Sequence, residues 1–439
     1  NISKNLTNSL ISKDNSGNFT DEKEGPALYN QFINDPAFVG TTLKHATAIQ
    51  KGWSLYSGGI NCEDVVQQGL GDCYFLSTVA SLCQYPDFIK KLFEFQVVTK
   101  NNCYGVYLCI NGEWKLVLLD DFIPAIKTKT GLTKFCFSSA HGNELWVNLI
   151  EKAWAKSNGM YINIGMGGES HEVFPILTEA YSESLSTPNP KKSSGKGRVE
   201  DPVWEKLLRA QEMNYIMTAG TSGSDECEDY GLSCGHAYSI IHLWDLYDQT
   251  GKDIKLVHLR NPWAEGEWVG DWSDRSKKWT PQIEKIVSKD EAQDNGEFFM
   301  SWEDFCKYFA VMGICHFRCD FLYSLRHVGK QDGPLGTYGT NEYSQKDPKN
   351  SMLKGPQLTK VTVPDNNCDA YFRICQHNKR LYSSQGSKWS YTNGSSLWLF
   401  GGLLCRVSFF IIKMSLIKKI LLPIFSISIL FLLILNRMV

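Results

Sequence analysis

The stretch Val66-Gln67-Gln68-Gly69-Leu70-Gly71-Asp72-Cys73-Tyr74-Phe75-Leu76-Ser77 places a cysteine where a glycine-rich turn gives way to an apolar run ending near Leu82. The run is compatible with a helix. A thiol in the first turn of a helix lies against unpaired N–H groups and the positive end of the macrodipole, which stabilise the thiolate and lower its pKa. Gln67 lies just upstream, where its side-chain amide and the backbone N–H of Cys73 are suited to hold an oxyanion. The same segment also suits a buried cysteine at a helix start, because free cysteines are commonly core residues.

Two downstream segments decide between these readings. Gly235-His236-Ala237-Tyr238-Ser239-Ile240-Ile241 reads as a strand with a histidine at its entrance, since β-branched and aromatic residues follow a small-residue turn. Leu256-Val257-His258-Leu259-Arg260-Asn261 is a second strand, stopped by Pro262, which cannot continue a ladder. A thiol, an imidazole and an asparagine amide, in that chain order, are the parts of a cysteine-protease triad. Their separations are close to those of papain-like enzymes.

The strings Gln67 to Cys73, Gly235 to Ser239, Arg260-Asn261-Pro262-Trp263, Glu267-Trp268, Trp272-Ser273-Asp274, Leu145 to Lys156 and Asn295 to Ser301 together resemble the protease core of the calpains. The similarity runs from about Pro36 to Asp320. It implies that Cys73 is the nucleophile, His236 the general base and acid, Asn261 the residue that orients the imidazole, and Gln67 the oxyanion donor. It also implies that Gly71 lines the substrate cleft and that Trp263 is a wedge that blocks the cleft or shelters the His236–Asn261 contact.

Calcium follows from the same resemblance, with one site in each of two lobes and closure of the lobes coupled to binding. Asp64 and Glu151, with the backbone carbonyl of Gly59, match the first-lobe ligand positions. Glu267, Asp274, Asn295 and Glu297 match the second-lobe positions, with Asn295 standing where the family pattern has an aspartate. Carboxylates and backbone oxygens are what a hard cation prefers. No twelve-residue calcium loop of the EF-hand type occurs in the sequence.

Composition sets the remaining bounds. The 439 residues exceed what one hydrophobic core usually organises. With 45 basic and 47 acidic residues the chain is nearly neutral and gives no support to a nucleic-acid partner. The 14 cysteines are scattered, and no secretory leader is visible at the start of the sequence, so the thiols read as reduced and the setting as cytoplasmic. Cys315-His316-Phe317-Arg318-Cys319 lacks a second ligand pair at zinc-finger spacing and reads as a buried strand.

The expected organisation is a polar leader over 1–35, a first lobe carrying Cys73 over 36–175, and a second lobe carrying His236 and Asn261 over 176–325. A linker with a partial β-sandwich-like segment follows over 326–395, and an apolar tail over 396–439. Leu145, Leu149 and Ala153 repeat at helical spacing, with Asn143 as the expected cap and Gly159 as the stop. The proline- and lysine-rich stretch 186–201 reads as an exposed loop open to cleavage. The uncharged run Ile420 to Leu435 is flanked by Lys418, Lys419 and Arg437 and is a candidate membrane anchor. At 1.5 Å per residue it would span only about 24 Å of a roughly 30 Å bilayer core.

The fold class expected is therefore α+β, a two-lobed papain-like core with a helical lobe and a β-rich lobe. The function expected is calcium-dependent endoproteolysis of protein substrates. The intact triad argues against a catalytically silent calcium-binding scaffold, and Asn261 argues against a transglutaminase-like acyl transferase, which would normally carry an aspartate there.

Overall fold

The computed structural model describes residues 40–188 apart from 101 and 111, residues 201–319 apart from 224, 249, 252 and 290–293, and four short strands beyond 368. The leader 1–35, most of the loop 186–201, Val361–Val363 and the run Ile420 to Leu435 lie outside the described residues. The described residues up to Cys319 belong to one compact unit. A second unit holds two short antiparallel ladders, Asp369–Tyr371 with Ile411–Lys413 and Leu397–Trp398 with Leu404–Cys405. Among the described residues no helix is long and apolar enough to cross a membrane.

Within the first unit, helix and sheet are mixed around two main apolar cores. The first core is built on helix α1 (Cys73–Leu82) and helix α2 (Trp146–Ser157). Around them lie strands β1 (Thr42–His45), β2 (Tyr104–Ile110), β3 (Glu113–Leu119) and β4 (Phe122–Lys127), and helix α3 (Ser170–Thr178). The apolar run after Cys73 makes α1 a largely internal helix, with Phe75, Leu76 and Val79 buried and Cys73 partly exposed at its start. Phe75 stacks on Trp154 of α2 at 5.6 Å between ring centroids, which fixes the two helices face to face.

Helix α2 begins at Trp146, as its spacing requires, but Asn143 does not cap it. The cap position is Leu145, with no side-chain hydrogen bond. Asn143 Oδ1 instead accepts from Gln50 Nε2, because a loop from β1 competes for it. The helix stops at Asn158, followed by Gly159 in the left-handed region (φ 88°), where a residue without Cβ is favoured.

The second core lies on a six-stranded sheet, antiparallel throughout among the described residues, of order β9–β8–β7–β6–β10–β5. Its strands are β5 (Ser182–Ser186), β6 (Ile216–Thr221), β7 (Ala237–Tyr247), β8 (Asp253–Arg260), β9 (Glu297–Ser301) and β10 (Phe309–Cys315). Helix α4 (Pro202–Glu212) contributes Trp204 and Leu207 to it. Its start is capped by Asp201, which accepts from Val203 and Trp204 N–H. Cys315 is the last residue of β10, but the strand expected through Cys319 ends there: His316 and Phe317 are buried outside it, with His316 bonding Glu183 at 2.9 Å, and Cys319 is exposed.

The cores are sewn together close to Cys73. Ile216, Ala237, Cys315 and Phe317 from the second half of the chain are buried in the first core. Ser239 Oγ on β7 donates to Ser77 O on α1 at 2.9 Å, and Ser81 Oγ donates to Met217 O at 3.1 Å. Helix α1 therefore lies against the edge where β6 and β7 begin and end.

Trp154→Ala would remove a side chain that is 1 % exposed and the stacking partner of Phe75. The expected loss is about 3–5 kcal/mol of unfolding free energy, read by denaturant titration.

Candidate active site

Cys73 is the first residue of α1, and His236 is the residue before β7. Both line one cavity of about 150 Å³, whose walls include Ala237, Gly168 and Thr218. Asn261 follows the last residue of β8, where Pro262 ends the ladder. Three distant stretches thus deliver a thiol, an imidazole and an amide to the seam between the cores.

The histidine and the asparagine are joined directly, His236 Nε2 to Asn261 Oδ1 at 2.9 Å. The amide cannot be turned over without loss, because Asn261 Nδ2 donates to Gly266 O at 3.0 Å and Trp263 N–H donates to Oδ1 at 3.1 Å. An acceptor on Nε2 makes that nitrogen the protonated one, so Nδ1 carries the free lone pair of a neutral imidazole. Asn261 is itself held by its N–H donating to Gly296 O at 2.8 Å. Gly296 has φ 83°, and a Cβ there would come within 2.9 Å of Asn261 O, so the approach needs a glycine. The backbone of His236 is fixed to Thr221, whose Oγ1 accepts from His236 N–H at 2.9 Å.

Trp263 covers this pair. Its ring lies 4.4 Å from the imidazole at 42°, with the indole 39 % exposed on its other side. His236, 6 % exposed, is correspondingly desolvated, and burial pushes its pKa down to about 4 against the raising influence of the Asn261 bond.

Burial also raises the Cys73 thiol, and the N–H groups of Ala237 and Tyr74 oppose it only in part. This corrects the expectation that the helix start lowers the thiol: desolvation outweighs the N–H groups of the first turn. Burial therefore disfavours the charged form of both partners in this geometry.

Gln67 is buried, and its Nε2 donates to Leu70 O at 2.7 Å, which leaves the second amide hydrogen as the one able to face an oxyanion. Its main-chain N–H donates to Pro262 O at 2.8 Å and so ties it to the Asn261 turn. A Cβ on Gly71 would stand 2.4 Å from Gly165 O, which assigns this glycine to the close passage of two backbones beside the thiol.

The expected calcium ligands are gathered only in part. Among the described residues no three His, Cys, Asp or Glu side chains converge as a metal-holding group. Glu151 does not meet Asp64: it is buried on α2 against Asp72, since its helical phase turns it to the core. The acid that feels Asp64 is Glu144, whose Oε1 accepts from Ser57 N–H and whose Oε2 accepts from Trp146 Nε1 at 2.9 Å. Gly59 lies in the adjoining turn, in the left-handed region.

In the second set, Glu267 Oε1 accepts from the N–H groups of Asn295 and Gly296 at 2.9 and 3.0 Å. Burial first, then the charges of Asp274 and Asp294, raise its carboxyl. Glu297 does not join that group. Strand alternation turns it to His258, 3.3 Å away, and to Cys62 Sγ at 3.6 Å. The donors present, carboxylate, amide and carbonyl oxygens crowded with like charge, fit a hard cation by their chemistry.

Sequence reasoning passed over Glu144, Asp294 and Arg260. Glu144 stands directly before Leu145-Trp146, one residue after Asn143, and its position at the mouth of a turn rather than inside a helix was the available signal. Arg260 is 1 % exposed and donates from Nη2 to Val65 O at 3.0 Å, a cross-link that no linear pattern reveals.

Residues 24–316 match the family described as calpain family cysteine protease. The chain belongs to the calpain family. It is 34 % identical over 320 residues to the calpain-type cysteine protease ADL1 of Oryza sativa subsp. japonica, covering 71 % of this chain and 14 % of that protein. It is 32 % identical over 304 residues to the calpain-2 catalytic subunit of Rattus norvegicus, covering 67 % and 42 %, and 32 % identical over 292 residues to calpain-8 of Mus musculus, covering 65 % and 40 %. The chain thus spans less than half the length of these relatives.

Two outcomes follow from the geometry. A histidine held below its unfolded value binds fewer protons when folded, so its contribution to stability is complete above about pH 6.5 and is lost as pH falls toward 4. Over that window wild-type protein should lose on the order of 3 kcal/mol more stability than His236→Gln, read by denaturant titration at each pH. Gly71→Ala should cost about 1–3 kcal/mol through overpacking and lower turnover, checked by thermal unfolding and peptide hydrolysis in parallel.

Proposed function

We propose that this chain is a calcium-dependent cysteine endopeptidase in which the two cores are the two lobes of a papain-like enzyme. The observation that carries the reading is the His236 Nε2–Asn261 Oδ1 bond of 2.9 Å, which leaves Nδ1 as a base in the cavity lined by Cys73. The family membership supports peptide hydrolysis as the reaction.

In the proposed mechanism the thiol proton passes to His236 Nδ1 as Cys73 attacks a peptide carbonyl. Burial opposes charge on either group before this transfer. The backbone N–H of Cys73 and the remaining Gln67 amide hydrogen stabilise the oxyanion. His236 then donates its proton to the leaving amine. A water activated by the same nitrogen releases the acyl group, while Asn261 and Trp263 keep the imidazole oriented and dry.

Calcium, when bound, supplies the charge that lets crowded oxygens converge. Asp64, Glu144 and the Gly59 carbonyl would hold it on one side, and Glu267, Asp274, Asp294 and Asn295 on the other. Asn295 contributes an oxygen without a charge. Binding that favours the aligned arrangement shifts the population toward it by that preference alone. The scattered cysteines of the sequence suit a cytosolic setting, and the family membership suits protein substrates.

Casein digestion by purified protein, with calcium and with chelator, tests this. Cys73→Ala should abolish turnover, His236→Ala should lower it by at least 1000-fold, and Asn261→Ala should lower it less, on the order of 10- to 100-fold. Glu267→Ala or Glu144→Gln should raise the calcium concentration needed for half activity, and Asn295→Asp should lower it. Equal turnover in chelator and in calcium would remove the calcium switch and leave the triad standing.

A further inference from the structure

Directly behind the nucleophile lies a pair of carboxyl groups that the mechanism above does not use. Asp72 occupies the cap position of α1, where an aspartate ordinarily accepts N–H groups of the first turn. Here it makes no such bond. The residue is 0 % exposed, and among the described residues neither carboxyl oxygen meets a donor other than its own main-chain N–H and the Glu151 carboxyl. Its neighbour is Glu151 of α2, 1 % exposed, with Oε1 equally without a donor. Two buried carboxyl groups in contact, supplied with no cation, cannot both be ionised. The arrangement that satisfies them is a proton held between their oxygens, as in other carboxyl dyads.

We propose that Asp72 and Glu151 are a proton-sharing pair that ties the first turn of α1 to α2 and keeps negative charge from developing behind the Cys73 thiol. The pair consists of positioning residues: it acts through Cys73 and touches no substrate. The titratable groups that face it are the Cys73 thiol at the start of α1 and the Cys136 thiol from the segment before Phe137, with the Ser138 hydroxyl beside Glu151. Burial raises both carboxyls, Asp72 to about 8 and Glu151 well above the usual range, so the pair holds at least one proton at neutral pH.

The sign of the pH effect follows. A carboxyl raised on folding binds more protons folded than unfolded, so stability falls as pH climbs from about 4 through the folded value. Loss of the proton also places charge on Asp72, which pushes the adjacent thiol up further. The pair therefore sets an alkaline limit on both the position and the ionisation of the nucleophile.

The inference rests on Cys73 being the reactive thiol, and its test needs no turnover. Alkylation of Cys73 by iodoacetamide would be followed from pH 6 to pH 10 by peptide-resolved mass spectrometry in wild type, Asp72→Asn and the double variant Asp72→Asn with Glu151→Gln. Thermal midpoints would be recorded at each pH. In the double variant an amide–amide bond replaces the shared proton. Its Cys73 alkylation midpoint should move toward acid by about one pH unit, and its thermal midpoint should fall less between pH 7 and 9. Unchanged alkylation and an unchanged thermal slope would overturn the proposal, whatever the protein does to casein. Should the variants not fold, infrared spectra of wild type decide. An un-ionised carboxyl band present at pH 7 and lost in step with a falling thermal midpoint supports the pair. A band absent at pH 7, or lost without that fall, refutes it.

Discussion

A buried guanidinium joins the serine and apolar contacts that hold the two cores against each other beside the site. Arg260, at the end of β8, reaches across to Val65 O at 3.0 Å and Glu63 O at 3.4 Å, while the next turn offers Pro262 O to Gln67 N–H. Burying an arginine is costly unless its charge finds partners. Here the carbonyls are joined by the fields of Asp64 and Glu297, which Arg260 stabilises in their ionised forms. The cross-link fixes the distance between the strand leading to Cys73 and the turn bearing Asn261. Asn261 and Gln67 are placed on either side of that cross-link.

The site is also largely buried. Asn261 is fully buried, His236 nearly so, and Asp72 and Glu151 lie beneath the nucleophile without water-facing oxygens. Desolvation therefore dominates each titration: it lowers the imidazole, raises the thiol and raises the carboxyl pair. The balance differs from that of an exposed helix start, where the macrodipole prevails.

Much of this was legible in the sequence, for identifiable reasons. The apolar run after Cys73, the proline after Asn261 and the helical repeat through Leu149 are local signals, and each element formed where its pattern put it. The order of thiol, imidazole and amide was equally local to read. What failed was side-chain direction. Glu151 stands on α2 in a phase that faces Asp72, and Glu297 alternates on β9 toward His258, so neither joins the acids with which sequence matching grouped it. Asn143 lost its capping role to a contact with Gln50, distant in the chain. Orientation of this kind depends on tertiary neighbours, and a linear motif carries none of them.

The hold that Gly296 has on Asn261 bears on how such a chain is made. Synthesis delivers the thiol early, the imidazole much later, and the carbonyl that anchors the asparagine later still. A ribosome adding roughly 5–20 residues per second leaves the first core exposed for many seconds with a thiol but no base. During that interval no residue of the second core can stand beside the thiol. Chain order thus makes the site the last part of the molecule to be completed, closed only once its final strands have been translated.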